Sequence, residues 1–452
     1  MPFQHPYLPQ TPEDQAAMLK TIGVGSIAEL FKSIPQELQL TRPLDLPSHL
    51  TEMELKAEFQ RLSSKNQSTG KLDNYLGAGV YEHYSPSAIR HLLNRSEFYT
   101  SYTPYQPEMT QGVLQAIFEY QSCICGLTGL DVSNASLYEG GHAVAEASLM
   151  ARAKTGRNKI VLSAGLNPES LQVLKTYTHN LDTEIVVAPL GLDGRTDLAK
   201  LKALVDDKTA AVVLANPNFF GVIEDGRPVG ELAHAAGALF IAAVEPVSLA
   251  LLQTPAEMGA DIACGEGQSL GIALSFGGPY LGFIAAKMEL VRQMPGRICG
   301  ITKDNRGQRA FVLTLQTREQ HIRREKANSN ICTNQTLLAI NATMYLGALG
   351  PQGLREVATQ SAQKAHYLAA EMGKLKGVKL SYPGAWFHEF ALDLGRPAGP
   401  VLKALQAKGI LGGVALSRYY PERPNEILVA VTEVKTKDQL ARYAAALKEV
   451  LA

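Results

Sequence analysis

Apolar and polar positions follow different rhythms in different parts of this chain. Short apolar runs rich in Val, Ile and Ala stand at 159–163, 183–188, 210–215, 238–244, 261–264 and 280–285. Between them, apolar residues recur at helical spacing over 141–155, 168–178, 197–205, 228–236 and, briefly, near 247–258. Uniformly apolar short strands separated by amphipathic helices predict βα units around a buried, mostly parallel sheet. The class is α/β, with a large domain over roughly 71–330. Two helices, near 86–94 and 109–126, precede its strands. A helix-rich connector at about 331–375 then leads to strand signals at 378–382, 386–394, 413–417 and 426–432 and helices at 400–408 and 437–451. This predicts a small α+β domain with antiparallel pairing, so that 331–452 holds the connector and a C-terminal domain.

Residues 1–70 read as short helices with polar breaks. Thr11-Pro12 pairs an N-cap with proline at the first helical position, and Ser26/Glu29 and Thr51/Glu54 have capping-box spacing. Such a segment is expected to wrap a larger body or a partner. In the basic stretch 313–335, helical spacing places Arg318, His321 and Arg324 near one face, and Asn328, Ser329 and Asn330 are expected to end that helix.

Composition narrows the function classes. The 452 residues carry 43 Lys plus Arg and 43 Asp plus Glu, giving no net charge. A nucleic-acid partner, which needs a basic surface, is disfavoured. No apolar run reaches the ~20 residues of a membrane helix, and the polar N-terminus has no secretory-signal pattern. Five scattered cysteines fit a reducing cytoplasm, and no metal-ligand spacing occurs.

Four constellations could carry chemistry. Gly140-Gly141 opens a helix directly before His142, and amides at a helix start attract anions such as phosphate. The same pair also reads as a simple glycine turn, and Glu139 beside it repels anions. The loop at 100–112 holds Tyr102, Thr103, Tyr105 and Gln106 between stiffening prolines, either as a site wall or as plain surface. The strand at 238–244 ends in Glu245, either a site carboxylate at a strand end or a plain capping or solvated glutamate. Arg318, His321, Arg323 and Arg324 crowd together, as anion readers or as a solvated helix face. No GxSxG, Walker A or GxGxxG pattern is present.

The stretch GADIACGEGQSLGIALSFGGPYLGF (259–283) resembles the cofactor-lysine region of fold-type-I pyridoxal-phosphate (PLP) enzymes, but Gln268 stands where the Schiff-base lysine is expected. An amide cannot form that imine. Longer segments sharpen the resemblance: YTSYTPYQPEMTQGVLQAIFEYQ (99–121), NASLYEGG (134–141), FGGPYLGF (276–283) and the run from MPGRICGITKD through REKANSNICTNQ (294–335). Together they resemble the glycine cleavage system P-protein family, in its lysine-free first subunit. The chain departs from the family pattern at Glu139-Gly140-Gly141-His142. The resemblance implies a PLP-transferase-like domain with a mostly parallel seven-stranded sheet. It also implies a second subunit that holds PLP covalently, and no covalent PLP in this chain. Glycine, the lipoylated H-protein and an α2β2 heterotetramer in the cytoplasm complete the implied picture. In it this chain is inactive alone, Tyr102, Thr103, Tyr105 and Gln106 reach the partner's site, Gly140, Gly141 and His142 form a degenerate phosphate turn, and the basic cluster receives H-protein or supports the interface. Two alternatives stay open: an autonomous PLP enzyme with a displaced lysine (Lys287 or Lys303), and a scaffold that contributes no site residue.

Overall fold

The computed structural model describes residues 7, 10–327, 331 and 333–452. The expected break at Asn328, Ser329 and Asn330 lies outside the described residues. The chain divides into two compact units, Met1–Gln67 and Ser68–Ala452.

The first unit holds α1 (Pro12–Ile22) and α2 (Glu52–Ser63), with single 3-10 turns at Ile27–Phe31 and Gln36–Leu38. Thr11 with Asp14 and Thr51 with Glu54 form complete capping boxes. The box expected at Ser26/Glu29 does not form. Ser26 makes no side-chain cap, and the Glu29 carboxylate instead accepts the Gly25 N–H at 3.0 Å.

The second unit opens with β1 (Asp73–Asn74), followed by α3 (Ser87–Leu93), α4 (Ser96–Tyr99) and the long α5 (Gln111–Thr128). Its main sheet contains β2 (Val132–Ser133), β3 (Lys159–Ser163), β4 (Glu184–Ala188), β5 (Thr209–Asn216), β6 (Leu239–Val244), β7 (Ile262–Glu266) and β8 (Gly282–Ala286). The order is β2-β8-β7-β6-β5-β3-β4, seven strands in all. Strands β3 to β7 run parallel, while β8 and β2 close the edge antiparallel. The crossover helices are α6 (Gly140–Thr155), α7 (Pro168–Thr178), α8 (Leu198–Leu204) and α9 (Gly226–Ala235).

The uniformly apolar strands have a simple cause. Val161, Val212, Leu214, Phe240 and Ala242 pack into one core, and the alternating Ile160, Leu162, Val213 and Ile241 pack into a second. Successive side chains point to opposite faces, and both faces are covered. The helix expected near 247–258 is reduced to a 3-10 turn at Ser248–Ala250. Pro255 and a separate Thr254–Glu257 box interrupt any longer run.

A hairpin of β9 (Ile298–Lys303) and β10 (Arg309–Thr314) follows. The basic stretch after it is not one helix. It forms a 3-10 turn at Gln316–Arg318, the short α10 (Gln320–Arg323) and another turn at Arg324–Lys326. Leu315 and Arg324 take positive φ values of 54° and 53°, which break helical continuity. Then α11 (Thr336–Gly373) bends at Gly350, where φ is 62° and ψ −178°, just before Pro351. Its Ala339, Ala342 and Tyr345 pack in the main-sheet core, and its Ala365, Leu368 and Met372 in the C-terminal core. That second core belongs to the sheet of β11 (Lys379–Leu380), β12 (Glu389–Asp393), β14 (Val414–Ala415) and β15 (Glu426–Ala430), in the order β11-β12-β15-β14, with α12 (Ala398–Ala407) and α13 (Lys437–Leu451). The two-residue β13 (Ile410–Leu411) pairs with β1.

Candidate functional site

A cavity of about 450 Å³ opens at the carboxyl ends of the parallel strands. Its wall takes Asn218 from the passage after β5, Glu245 from the end of β6, Glu266 from the end of β7, and Gly140 and Gly141 from the start of α6. This is where open α/β sheets bind ligands, because strand ends and helix starts converge there.

The chemistry of this wall is unusual for an anion site. Glu139, the N-cap of α6, turns its carboxylate back onto its own helix and accepts the N–H groups of Gly141 at 2.5 Å and His142 at 2.7 Å. Glu266 accepts the Gly140 N–H at 2.9 Å. Its other oxygen accepts the Gln268 and Leu281 N–H groups, both at 2.9 Å. Three N-terminal amides of α6 are thus satisfied by carboxylates of this chain. Gly140 is required for the fit, since a Cβ there would lie 2.9 Å from Glu266 Cβ. Glu169, Glu245 and Glu389 also line the cavity, and no lysine or arginine does among the described residues. Burial pushes Glu266 and Glu389 up to about 7 and raises Glu245 as well.

Gln268 is buried beside this cavity and holds a backbone segment. Its carbonyl accepts the Tyr81 N–H at 2.8 Å, and its amide donates to Tyr81 C=O at 2.9 Å and Ile272 C=O at 2.7 Å. A side-chain amide carries both the acceptor and the donors this pairing uses, whereas a lysine ammonium has donors only. Tyr81 in turn donates its hydroxyl to Glu389 at 2.8 Å, and Ala78 N–H donates to the same carboxylate at 2.7 Å. Ser269, the next residue, faces the cavity and donates to Glu245 at 2.5 Å. Glu245 also accepts the Val247 and Ser248 N–H groups. These residues do not fit PLP. The helix-start amides that would take its phosphate are already bonded, the wall carries five glutamates, and the turn offers an amide in place of an amine.

The remaining expected residues fall into separate places. Gly140 and Gly141 line the cavity. His142 is buried behind it, stacked on Tyr138 with ring centroids 4.6 Å apart, its Nδ1 accepting the Tyr138 N–H at 3.2 Å. Tyr102 and Tyr105 are 71% and 55% exposed and lie outside the cavity wall, as do Thr103 and Gln106. Tyr102 Oη stands 3.0 Å from Thr333 Oγ1, and Tyr105 Oη accepts from Arg297 Nη2 at 2.6 Å, with the Arg297 guanidinium 5.0 Å from its ring. The Thr103 carbonyl accepts the Tyr105 N–H, and the Gln106 carbonyl accepts the Thr110 hydroxyl at 2.7 Å. These bonds fix the loop's shape, and both tyrosines remain more than half exposed.

The basic cluster does not hold together. Arg318 is buried and donates to the carbonyls of Met294, Gly296 and Leu315, which ties the turn to the strand-side chain. His321 is exposed near Glu319, and Arg323 donates to the Thr317 carbonyl at 3.1 Å. Arg324, in the next turn, is exposed. Lys287 pairs with Asp261 at 2.5 Å, and neither Lys287 nor Lys303 reaches the cavity wall. Sequence reasoning overlooked Tyr81, Glu266 and Glu389. Glu266 was legible as a carboxylate ending a central strand, next to Glu245. Glu389 comes from the C-terminal sheet, and no local pattern announces it.

The family model described as glycine cleavage system P-protein matches residues 5–447. The probable glycine dehydrogenase (decarboxylating) subunit 1 of Carboxydothermus hydrogenoformans is 51% identical over 434 residues, covering 96% of this chain and 97% of the relative. The one of Moorella thermoacetica is 52% identical, covering 99% of this chain and 100% of the relative. A crystal structure of glycine decarboxylase (P-protein) of the glycine cleavage system, in inhibitor-bound form, superimposes with a TM-score of 0.89 at 45% identity over 99% of this chain and 100% of that one. Lactobacillus brevis glutamate decarboxylase, at 13% identity over 94% of this chain and 96% of that one, shares the fold with a TM-score of 0.68. The fold is therefore that of fold-type-I PLP enzymes, and the chain belongs to the glycine cleavage system P-protein family.

Proposed function

We propose that this chain is the cofactor-free subunit 1 of a two-chain glycine dehydrogenase (decarboxylating). The observation that carries this reading is the self-filled anion seat: Glu139 and Glu266 satisfy the first amides of α6, and Gln268 replaces the amine the chemistry needs. In this reading a second subunit holds PLP through its lysine, and PLP there supplies the electron sink for glycine decarboxylation. The aminomethyl group then passes to the lipoyl group of H-protein. This chain contributes shape and polar groups to the partner's site through the outward loop at 102–106. Fold-type-I sites form where two subunits meet, so a pair of unlike chains has one live site and one silent site. An α2β2 assembly follows from pairing two such dimers.

The test is reconstitution. Glycine-dependent CO2 release is measured with this chain, with the second subunit, and with the two mixed, in the presence of lipoylated H-protein. Activity is expected only in the mixture, and full activity in either chain alone overturns the reading. Tyr102→Phe or Gln106→Ala is expected to lower turnover about tenfold without changing the mass of the complex, the scale of losing one oriented polar contact in a transition state. Unchanged kinetics in both variants would remove the loop from the site.

A further inference from the structure

Arg297 lies in the passage that leads into β9, and only 4% of its surface is exposed. Its Nη2 donates to Tyr105 Oη at 2.6 Å, and its guanidinium carbon stands 5.0 Å from the centre of the Tyr105 ring. Its Nε and Nη1 are buried without an acceptor. The Glu319 carboxylate is 4.0 Å from Nε, near enough to offset charge but too far for a hydrogen bond. Glu319 also faces the exposed His321, 3.7 Å away. The backbone around Arg297 is pinned. Its carbonyl accepts the Ala135 N–H at 2.8 Å, and the buried Arg318 donates to the carbonyls of Met294 and Gly296 on the same passage.

A buried guanidinium with bare N–H groups is a costly way to fasten a loop. A neutral amide or hydroxyl could donate to Tyr105 at less cost. What the charge adds is an effect on the phenol. Arginine has donors only, so Tyr105 Oη must accept, and the phenol's own hydrogen is left to donate elsewhere. A charge-assisted bond of this length polarises that O–H and strengthens it as a donor. The cation–π contact fixes the ring while the hydrogen bond fixes the oxygen, so the direction of the donor is confined. Tyr105 is 55% exposed, and among the described residues its hydroxyl meets no acceptor. An oriented, polarised donor on an exposed loop is matched to a compact oxyanion.

We propose that Arg297 is a positioning residue that holds Tyr105 as a hydrogen-bond donor to a carboxylate or phosphate oxygen in the site bordered by the 102–106 loop. The proposal rests on the two-chain reading above. In that reading the oxyanion has two sources, the carboxylate of glycine and the phosphate of the PLP held by the second subunit. Arg297 is buried behind the tyrosine and acts only through it.

The test uses the reconstituted complex with Tyr105→Phe, Arg297→Met, Arg297→Lys and the double variant Tyr105→Phe/Arg297→Met of this chain. The change in cofactor absorbance is titrated with glycine and with methylamine, which has the amine and lacks the carboxylate. PLP retention is measured by dilution. With glycine's carboxylate as the oxyanion, Tyr105→Phe and Arg297→Met each raise the half-saturating glycine concentration about tenfold, the scale of one hydrogen bond to a charged group, and leave methylamine within about twofold. With the phosphate as the oxyanion, PLP is held about tenfold more weakly and the two amines are affected alike. In either case Arg297→Lys, which keeps a donor and the charge, recovers part of the loss, and Arg297→Met adds nothing in the Tyr105→Phe background. The isolated Arg297→Met chain keeps its urea midpoint, because removing an unsatisfied buried charge costs a fold little. Unchanged titrations and retention in the single variants, a further loss in the double variant, or a lowered urea midpoint with loss of association overturns the proposal and leaves the two-chain enzyme intact. A wild-type complex that gives no absorbance change with glycine overturns the two-chain reading, and the proposal with it.

Discussion

At position 268, two hydrogen-bonding properties of one amide matter more than its lack of an amine. Gln268 accepts from and donates to the Tyr81 backbone, and also bonds Ile272. Gln268→Lys would restore the amine of a PLP enzyme, but it would leave the Tyr81 N–H without its acceptor and bury an ammonium. The variant is expected to lose roughly 2–3 kcal/mol of stability in urea unfolding, the scale of a buried polar group left unsatisfied. It should also gain no imine absorbance when PLP is added, because the phosphate seat stays filled. An imine band in this variant would show that the seat can be opened. Sequence made the missing lysine legible, along with the glycine turn and the Glu245 strand end. It could not show that Glu139 bonds its own helix, because N-cap geometry depends on a backbone twist that no residue pattern records. Arg318 illustrates the same limit. Its charge reads as surface, whereas the fold buries it against three carbonyls.

Among the elements, the parallel strands were the most legible, because two-sided burial leaves an uninterrupted apolar run. The β9–β10 hairpin was not foreseen, although Arg309–Thr314 contains Phe311 and β-branched Val312 and Thr314 and follows a Gly307 turn. Its signal was masked by the charges around it. Helix α11 reads as one long helix, and Gly350 breaks it. The conformation there, φ 62° with ψ −178°, lies in a region open essentially to glycine alone. No atom lies within 4 Å of a Cβ built at Gly350, so a side chain would meet no packing clash. Gly350→Ala therefore isolates the backbone cost and is expected to destabilise the chain by about 1–3 kcal/mol in urea titration. No loss would mean that α11 can straighten across the bend.

Across the whole molecule, a chain of bonds joins the two sheets through the cavity wall: the turn after β7 holds Gln268, Gln268 holds Tyr81, and Tyr81 donates to Glu389 on β12. The buried Glu389 gives this link a pH signature. Its folded value is raised to about 7 from the ordinary 4.5, so the folded state binds the proton more tightly than the unfolded chain. Its stabilising contribution is complete below about pH 4.5 and is lost as pH rises through 7. Glu389→Gln retains the acceptor for Ala78 N–H and cannot ionise. Relative to wild type, its stability is expected to improve by on the order of 3 kcal/mol between pH 4.5 and 8 in melts across that range. A constant difference would place the titration elsewhere.

The carboxylate of Glu139 has a consequence for how the silent half of the proposed pair would persist. It performs two tasks with the same two bonds, ending the exposed amides of α6 and refusing a phosphate. A substitution that vacated the seat would also uncap the helix, at about 1 kcal/mol. Drift toward an open seat is thus opposed before any cofactor arrives to reward it. A lysine at position 268 is a single-codon change from Gln268. With this carboxylate in place, reversal requires several changes at once, the first of them harmful, so in the proposed two-chain enzyme selection for a stable fold would be enough to keep the two subunits unlike.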